Sequence, residues 1–386
     1  MIKMKFIFYF IFLLQVIYNI NIGKKTQKKL LSQLTIKDDY KESIFGLQLG
    51  ANNPCEDSFF IQNITLLNNH GVFFSIFDGH GGYLLSRYAN LLLYPYFLES
   101  FNLSKFEQDL DERIINSLKE SYHKIETEFL KISFNERLKG NNNYSHLGSC
   151  ALSAIIINKK MYIANLGDSK ARVFFSEEKN FKNNSYLKYK VKKVSKVFNI
   201  RKKSEQKRMQ KSYPNDKNIF KCYEDKACYV KGMLQPTRSL GDYTLKYLYF
   251  NIDVKNNLLY EQLEKYFDGP YISAEPEINV YYINDNYKYL IMGSDGLWDV
   301  IKSREIGELI NNFTEIDNSN LFWKDKKYNN IEKISYGLIH TILINYSRES
   351  YFSGNYKKIL DTPFGKTRRN LHDDITIITC DLSKYN

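Results

Sequence analysis

Four short segments of this 386-residue chain concentrate carboxylates. They are Glu56-Asp57, the stretch from Phe77 to Gly82 with Asp78, Gly79 and His80, the stretch from Gly293 to Asp299 with Asp295, and His372-Asp373-Asp374. Oxygen donors without a Cys or His cage suit hard divalent cations, and Mg²⁺ takes few carboxylates directly while keeping several waters. Two such ions about 4 Å apart can share one carboxylate and one water. The glycines let the backbone approach closely and offer a carbonyl to a metal. His80, beside Asp78, carries an imidazole able to protonate a leaving oxygen. No Gly-rich phosphate loop of the Walker type occurs, which argues against nucleotide hydrolysis by that route. Taken singly, an Asp-Gly is usually a turn and the His-Asp-Asp fits a capped helix start. All four segments adjoin apolar, strand-like runs, and turns alone do not account for that.

Those runs are the elements that must aim the acids. Short apolar or alternating stretches predict strands over 46–50, 59–67, 72–77, 150–157, 161–165, 171–175, 278–283, 289–292 and 375–382. Asn158-Lys159 predicts a hairpin turn between two of them. Helices are expected over 83–98, 104–132, 303–313 and 331–346, the third with Ser303 as N-cap and Glu305 and Glu308 near its start. In the second, Leu110, Ile114, Leu118, Tyr122, Ile125 and Phe129 recur at helical spacing, the mark of a core-facing stripe. Strands and helices in this order fit an α+β layer architecture better than alternating βαβ units.

Composition sets outer limits. The chain is 43% hydrophobic and 25% charged, ordinary for a folded globular protein, and its seven prolines argue against a long disordered linker. The net charge is +12, and much of the excess is local, since residues 182–211 hold twelve Lys or Arg and one acid, Glu205. That run is expected to be a solvated, mobile loop. No nucleic-acid site is expected, because neither interleaved aromatics nor a known binding module accompanies it. Of the five cysteines, Cys150 and Cys380 lie in apolar runs as small hydrophobes, and Cys222 and Cys228 are close enough to bridge in an oxidising compartment. Lys3 and Lys5 precede a nearly all-apolar run over 6–22, the pattern of a secretory signal, with a signal anchor as the alternative. Secreted, organellar and membrane-anchored destinations all stay open, and a cytoplasmic one if the run is no signal. Membrane contact is expected only if the run is retained.

The matching stretches CEDSFF from Cys55, FDGHGG from Phe77, GSCALSAII from Gly148, YIANLGDSKARV from Tyr162, QPTRSLGDY from Gln235, GSDGLWDV from Gly293 and HDDITIITCDL from His372 resemble the protein phosphatase 2C family, in the family's order and over roughly residues 42–384. The resemblance implies a four-layer αββα sandwich of two antiparallel sheets flanked by helices, residues 42–386. The residues themselves place a signal peptide or signal anchor at 1–22 before it and a basic linker or transit segment at 23–41. The family likeness carries further expectations. The resemblance also implies Mn²⁺ or Mg²⁺, two ions and a weaker third. Asp78 would bridge both ions, the Gly79 carbonyl would ligate the second, and Asp295 and Asp373 the first. Glu56 and Asp57 would serve the second ion partly through water, and Asp168, with Asp295, the third. Asp374 leaves a one-residue ambiguity beside Asp373. His80 would be the general acid in hydrolysis of phosphoserine or phosphothreonine proteins, with no covalent phosphoenzyme and Cys55 a bystander. A monomer is implied. Three features depart from the family. Asn52 stands where many members carry a phosphate-holding arginine, the flap at 176–230 is long and basic, and 311–330 looks like a surface insertion. The first leaves a second reading open, a weak or inactive pseudophosphatase that binds phosphoproteins.

Overall fold

Alternation along residues 69–80 shows how the layers arise. Val72, Phe74 and Ile76 enter one core, while Phe73 and Phe77 enter another on the opposite face. Residues 148–157 repeat the pattern, with Leu152, Ala154 and Ile156 on the first side and Ala151 and Ile155 on the second. Side chains of a strand point alternately to its two faces, so a sheet with both faces apolar must be covered twice.

The computed structural model describes residues 24–38, 42–104, 109–181, 184–223, 227–253, 258–259, 267–315, 328–349 and 355–386. Along the chain run α1 (Lys24–Gln33), β1 (Leu34–Asp38), β2 (Ile44–Leu49), β3 (Ser58–Leu66), β4 (Asn69–His80), α2 (Leu84–Leu103) and α3 (Leu110–Leu138). Then follow β5 (Gly148–Ile157), β6 (Lys160–Leu166), β7 (Lys170–Phe181), β8 (Asn184–Lys193), α4 (Lys203–Ser212), β9 (Phe220–Cys222), β10 (Cys228–Val230) and β11 (Leu240–Gly241). A short antiparallel pair, β12 (Ile252–Asp253) and β13 (Leu258–Leu259), precedes β14 (Glu277–Tyr282), β15 (Tyr287–Gly293), α5 (Asp295–Trp298) and α6 (Ser303–Glu315). The chain closes with α7 (Asn330–Glu349), α8 (Lys357–Asp361), α9 (Lys366–Arg369) and β16 (Ile375–Asp381).

Two antiparallel sheets result, in the orders β1-β2-β16-β15-β7-β8 and β14-β6-β5-β4-β3, with β11 paired to β5. Ile44, Met292, Ile378 and Cys380 of the first sheet meet Phe74, Leu152 and Ile163 of the second in the central core. α6 and α7 cover the outer face of the first sheet through Ile310, Ile334, Leu338 and Ile342. α2 and α3 cover the second through Leu93, Phe97, Ile114, Leu118 and Tyr122. This is the expected four-layer α+β sandwich.

The expected strands are present and mostly longer. The hairpin at Asn158-Lys159 is confirmed: both residues have positive φ, 51° and 59°, as a two-residue turn of the primed type requires. Other expectations need correction. The long helix begins at Leu110, capped by Asp109 whose carboxylate accepts the Asp111 N–H at 3.0 Å, while Ser104 ends the preceding helix. Ser303 lies inside the first turn of α6, since the Lys302 carbonyl accepts the Ile306 N–H at 3.2 Å. Residues 24–38, expected as part of a linker, form α1 and the edge strand β1, which pairs with β2 from Leu34 to Asp38.

The basic run at 182–211 is largely structured where a mobile loop was expected. β8 pairs with β7 along ten residues, and α4 packs through buried Met209 on Ile200, Ile219, Val230 and Tyr271. The missed signal is period two: Tyr189 and Val191 are half-buried between exposed Lys190 and Lys192. Cys222 and Cys228 form a disulfide that clips β9 to β10. Residues 1–22, most of the stretch at 311–330 and residue 23 lie outside the described residues. Among the described residues, no helix is long and apolar enough to cross a membrane.

Candidate metal centre and active site

Strand ends deliver the acids to one edge of the sandwich. β4 sets Asp78, Gly79 and His80 opposite Cys150, Ser149 and Gly148 of β5. Asp57 precedes β3, Asp168 sits in the turn between β6 and β7, Asp295 opens α5 just after β15, and Asp373 precedes β16. Thr376 fastens three of these ends together. Its hydroxyl donates to Asp57 Oδ2 at 2.6 Å, its N–H to Ser294 Oγ at 3.0 Å, and its carbonyl accepts the Ser294 N–H at 3.1 Å. The Asp295 N–H points at Asp78 Oδ2, 3.3 Å away. Gly79 has no side chain to spare, because a Cβ there would strike the Glu56 carbonyl.

The charges gathered in this way repel. Burial, and then Asp57, Asp168 and Asp373, push the Asp78 carboxyl well above the usual range. Burial and then Asp78, Asp373 and Asp168 do the same to Asp295, and burial with Asp374 raises Asp57. Asp373 is raised to about 6 by burial, although Arg369 pairs with it at 2.8 Å. Glu56 is also raised, chiefly by burial and Asp374. Like charges buried side by side are costly without a counter-charge.

The adjacent aspartates separate into two jobs. Asp374 accepts the N–H groups of Ala51, Asn52 and Glu56 at 2.5, 3.0 and 2.8 Å and the Asn52 side-chain amide at 2.9 Å. Despite burial, these hydrogen bonds hold it below the usual carboxylate range. Asp374 therefore clamps the loop at 51–56, while Asp373 lines the cleft beside Asp295 and pairs with Arg369. Asn52 belongs to the same clamp, and its amide also reaches Glu56 Oε2 at 3.2 Å.

His80 has a partner the sequence reading missed. Its Nε2 lies 2.8 and 3.0 Å from the two carboxylate oxygens of Asp242. Burial disfavours the imidazolium, but Asp242, with Asp168 and Glu56 behind it, more than compensates and lifts the His80 pKa above its ordinary value. Asp242 is itself fixed. It adopts a left-handed φ of 52°, its N–H bonds the Leu147 carbonyl at 2.9 Å, and Ser239 Oγ donates to it at 2.5 Å. Gly148 makes room, since a Cβ there would collide with both His80 and Asp242. The Ser239–Asp242 motif was visible in the sequence, but its partner lies 162 residues away.

Asp168 binds elsewhere. Its Oδ2 accepts the Asn199 amide at 2.6 Å and its Oδ1 the Cys150 thiol at 3.3 Å, so the flap touches the acidic edge at Asn199. Cys55 is half-buried, its thiol pushed far up by burial and then by Asp57. That fits a bystander, since a nucleophile needs the thiolate.

Among the described residues, no three His, Cys, Asp or Glu side chains already enclose a single point as a metal cage. The donor set nonetheless fits Mn²⁺ or Mg²⁺: all-oxygen, clustered, electrostatically under-compensated, and suited to ions that retain water. A cleft of about 220 Å³ opens beside it, lined by Asp295, Asp299, Tyr346, Arg369, His372 and Asp373 among others.

Comparison with known proteins identifies relatives in sequence and in fold. The family model for protein phosphatase 2C matches residues 48–334. Probable protein phosphatase 2C 67 of Arabidopsis thaliana is 27% identical over 340 residues, 87% of this chain and 82% of that protein. A mitochondrial pyruvate dehydrogenase phosphatase of Saccharomyces cerevisiae is 28% identical over 316 residues, 73% of this chain and 51% of its own length. Among solved structures, the serine-threonine phosphatase 2C of Toxoplasma gondii shares the fold with a TM-score of 0.55 at 15% identity, covering 90% of this chain and 98% of that one. A sex-determining protein of C. elegans does so with a TM-score of 0.54 at 18% identity, over 88% of this chain and 64% of that one. With its sandwich, its acidic edge and a family match over most of its length, the chain belongs to the protein phosphatase 2C family, a family of protein phosphatases.

Proposed function

We propose that the chain hydrolyses phosphoserine and phosphothreonine in proteins, using two Mn²⁺ or Mg²⁺ ions held by Asp78, the Gly79 carbonyl, Asp295, Asp373, Glu56 and Asp57, with a weaker third near Asp168 and Asp295. The observation that carries this is the set of carboxylates gathered at one edge and driven up by burial and then by one another's charge. Bound there, the ions would lower the pKa of a water and neutralise phosphate oxygens. The protein's own part is positional and acid–base. Asp374 and Asn52 hold the loop that presents Glu56. Asp242 holds His80 through Nε2 and favours its charged form, leaving Nδ1–H to protonate the departing serine or threonine oxygen. The products are the free hydroxyl and inorganic phosphate. Asn52, the sole support for a pseudophosphatase, has a structural task here, so its presence no longer favours that reading. An arginine at 52 would forfeit the amide's bonds to Asp374 and Glu56.

The test is release of phosphate from a phosphothreonine peptide by the full chain with Mn²⁺, with Mg²⁺ and with chelator, beside Asp295→Ala. Metal-dependent release lost in the variant supports the reading, and no release by folded, metal-loaded wild type sinks it. We also infer passage through an oxidising, secretory compartment. The apolar run at 6–22 and the Cys222–Cys228 bridge support this. Mass spectrometry of the protein from its own cells, finding both thiols free, would count against it.

A further inference from the structure

A dianionic phosphoester must approach an edge crowded with carboxylates, and a cation on the protein's side would ease that approach. Several basic residues nearby are already committed. Arg368 is fully buried, donating to His372 Nε2 and Gln33 Oε1 at 2.9 Å each. Lys170 and Arg201 both face Asp299, at 3.9 and 3.2 Å. Arg238 donates to the Glu275 carbonyl and lies over the Phe198 ring.

Arg369 differs from all of these. It lines the cleft beside Asp295 and Asp373. Its side chain is 45% exposed and uses one arm on Asp373. Asp373, Asp295, Asp374 and Glu56 all act on its charge, so it stands among four of the clustered carboxylates. The backbone beneath it is pinned: the Arg369 N–H bonds the Gly365 carbonyl at 2.9 Å, and the Gly365 N–H bonds the Ala51 carbonyl at 2.7 Å. Buried Arg368 anchors the same turn from inside. The guanidinium is thus carried on a fixed support, one helical turn from the loop that holds Asn52.

Resting on the phosphatase reading, we propose that Arg369 binds the phosphate of the substrate, supplying from α9 the guanidinium that the loop at 51–56 lacks. A planar fork with five N–H donors can keep Asp373 on one arm and offer the others to phosphate oxygens. The contact is made to the bound phosphate and to inorganic phosphate as product alike.

The experiment is isothermal titration of inorganic phosphate into the full chain at saturating Mn²⁺, for wild type, Arg369→Ala and Arg369→Lys, with Mn²⁺ affinity measured separately without phosphate. The expected result is about 10- to 100-fold weaker phosphate binding in Arg369→Ala, the scale of a charge-assisted bidentate contact, and a smaller loss in Arg369→Lys, which keeps the charge without the fork. For a phosphothreonine peptide KM should rise more than kcat falls. Phosphate affinity within twofold of wild type in both variants would overturn the proposal. So would a loss that tracks Mn²⁺ affinity and vanishes when Mn²⁺ is raised, since Arg369 would then act only through Asp373. Where Arg369→Ala fails to fold, Arg369→Lys and Arg369→Gln decide the matter. Wild type that binds phosphate through Arg369 but releases none from the peptide fails the phosphatase reading and leaves this proposal standing.

Discussion

The flap and the acidic edge treat buried carboxylates in opposite ways. In the flap, Glu205 is 1% exposed and takes Arg208 at 2.9 Å and the Thr237 hydroxyl at 2.7 Å, while Asp216 takes Lys231 at 3.2 Å. At the acidic edge Asp57, Asp78 and Asp295 are each raised by burial and by neighbouring carboxylates, Asp373 among them, and Arg369 pairs with Asp373 at 2.8 Å. Paired charges fix structure. Unpaired like charges oppose it, and they persist where something that binds there compensates them. The one acid in a basic run thus proves to be a structural anchor, and the acids in a dense cluster prove to be the poorly compensated ones.

The sharpest way to break this comparison is Asp295→Asn. Phosphatase activity should fall by about a thousandfold or more, the kinetic equivalent of several kcal/mol of lost charge stabilisation. The metal-free variant should melt higher than metal-free wild type, because one repelling charge is gone. A lower melting temperature would mean that the edge stores no repulsion. The pH dependence carries the same sign. Asp373 titrates near 6 in the fold against an ordinary 3.8, so its contribution to stability is complete below about pH 4 and is lost as pH rises through 6. Denaturation of metal-free protein across that window should show the decline, and Mn²⁺ should abolish it.

Next in size is a paired site. Lys246 donates to Glu126 at 2.6 Å with both side chains buried, and Glu126 also accepts the Gly241 N–H at 2.8 Å, tying α3 to the segment that carries Asp242. Lys246→Met strands a buried carboxylate and should cost about 3–5 kcal/mol in urea denaturation. A loss below 1 kcal/mol would erase the contrast between the two regions. Asp242→Asn should lower kcat by about tenfold or more and move the alkaline limb of its pH profile downward, since His80 would lose the charge that holds its proton. An unmoved limb would separate Asp242 from the acid role of His80. The smallest effect belongs to Arg201→Ala, which removes a half-exposed pair with Asp299 and should change stability by less than about 1 kcal/mol at moderate salt.

Much of this was legible in the chain itself. The strands, the hairpin at Asn158-Lys159 and the acid segments rest on patterns a few residues long, set by side-chain alternation and turn chemistry. The four-layer order and the roles expected for Asp78, Asp295 and His80 came through resemblance of those same short stretches. The flap misled because a count of lysines hid the alternation of Tyr189 and Val191. Other features had no local signature at all. Asp373 and Asp374 are the same residue type side by side, and only the folded loop at 51–56 decides which one collects four N–H groups. Asp242 becomes the partner of His80 only when β11 pairs with β5 and brings two segments 162 residues apart together. Sequence fixes what each residue can offer. Which offer is taken up depends on neighbours that the chain brings together only on folding, because hydrogen bonds and charge–charge energies act over a few ångströms of space, whatever the separation along the chain.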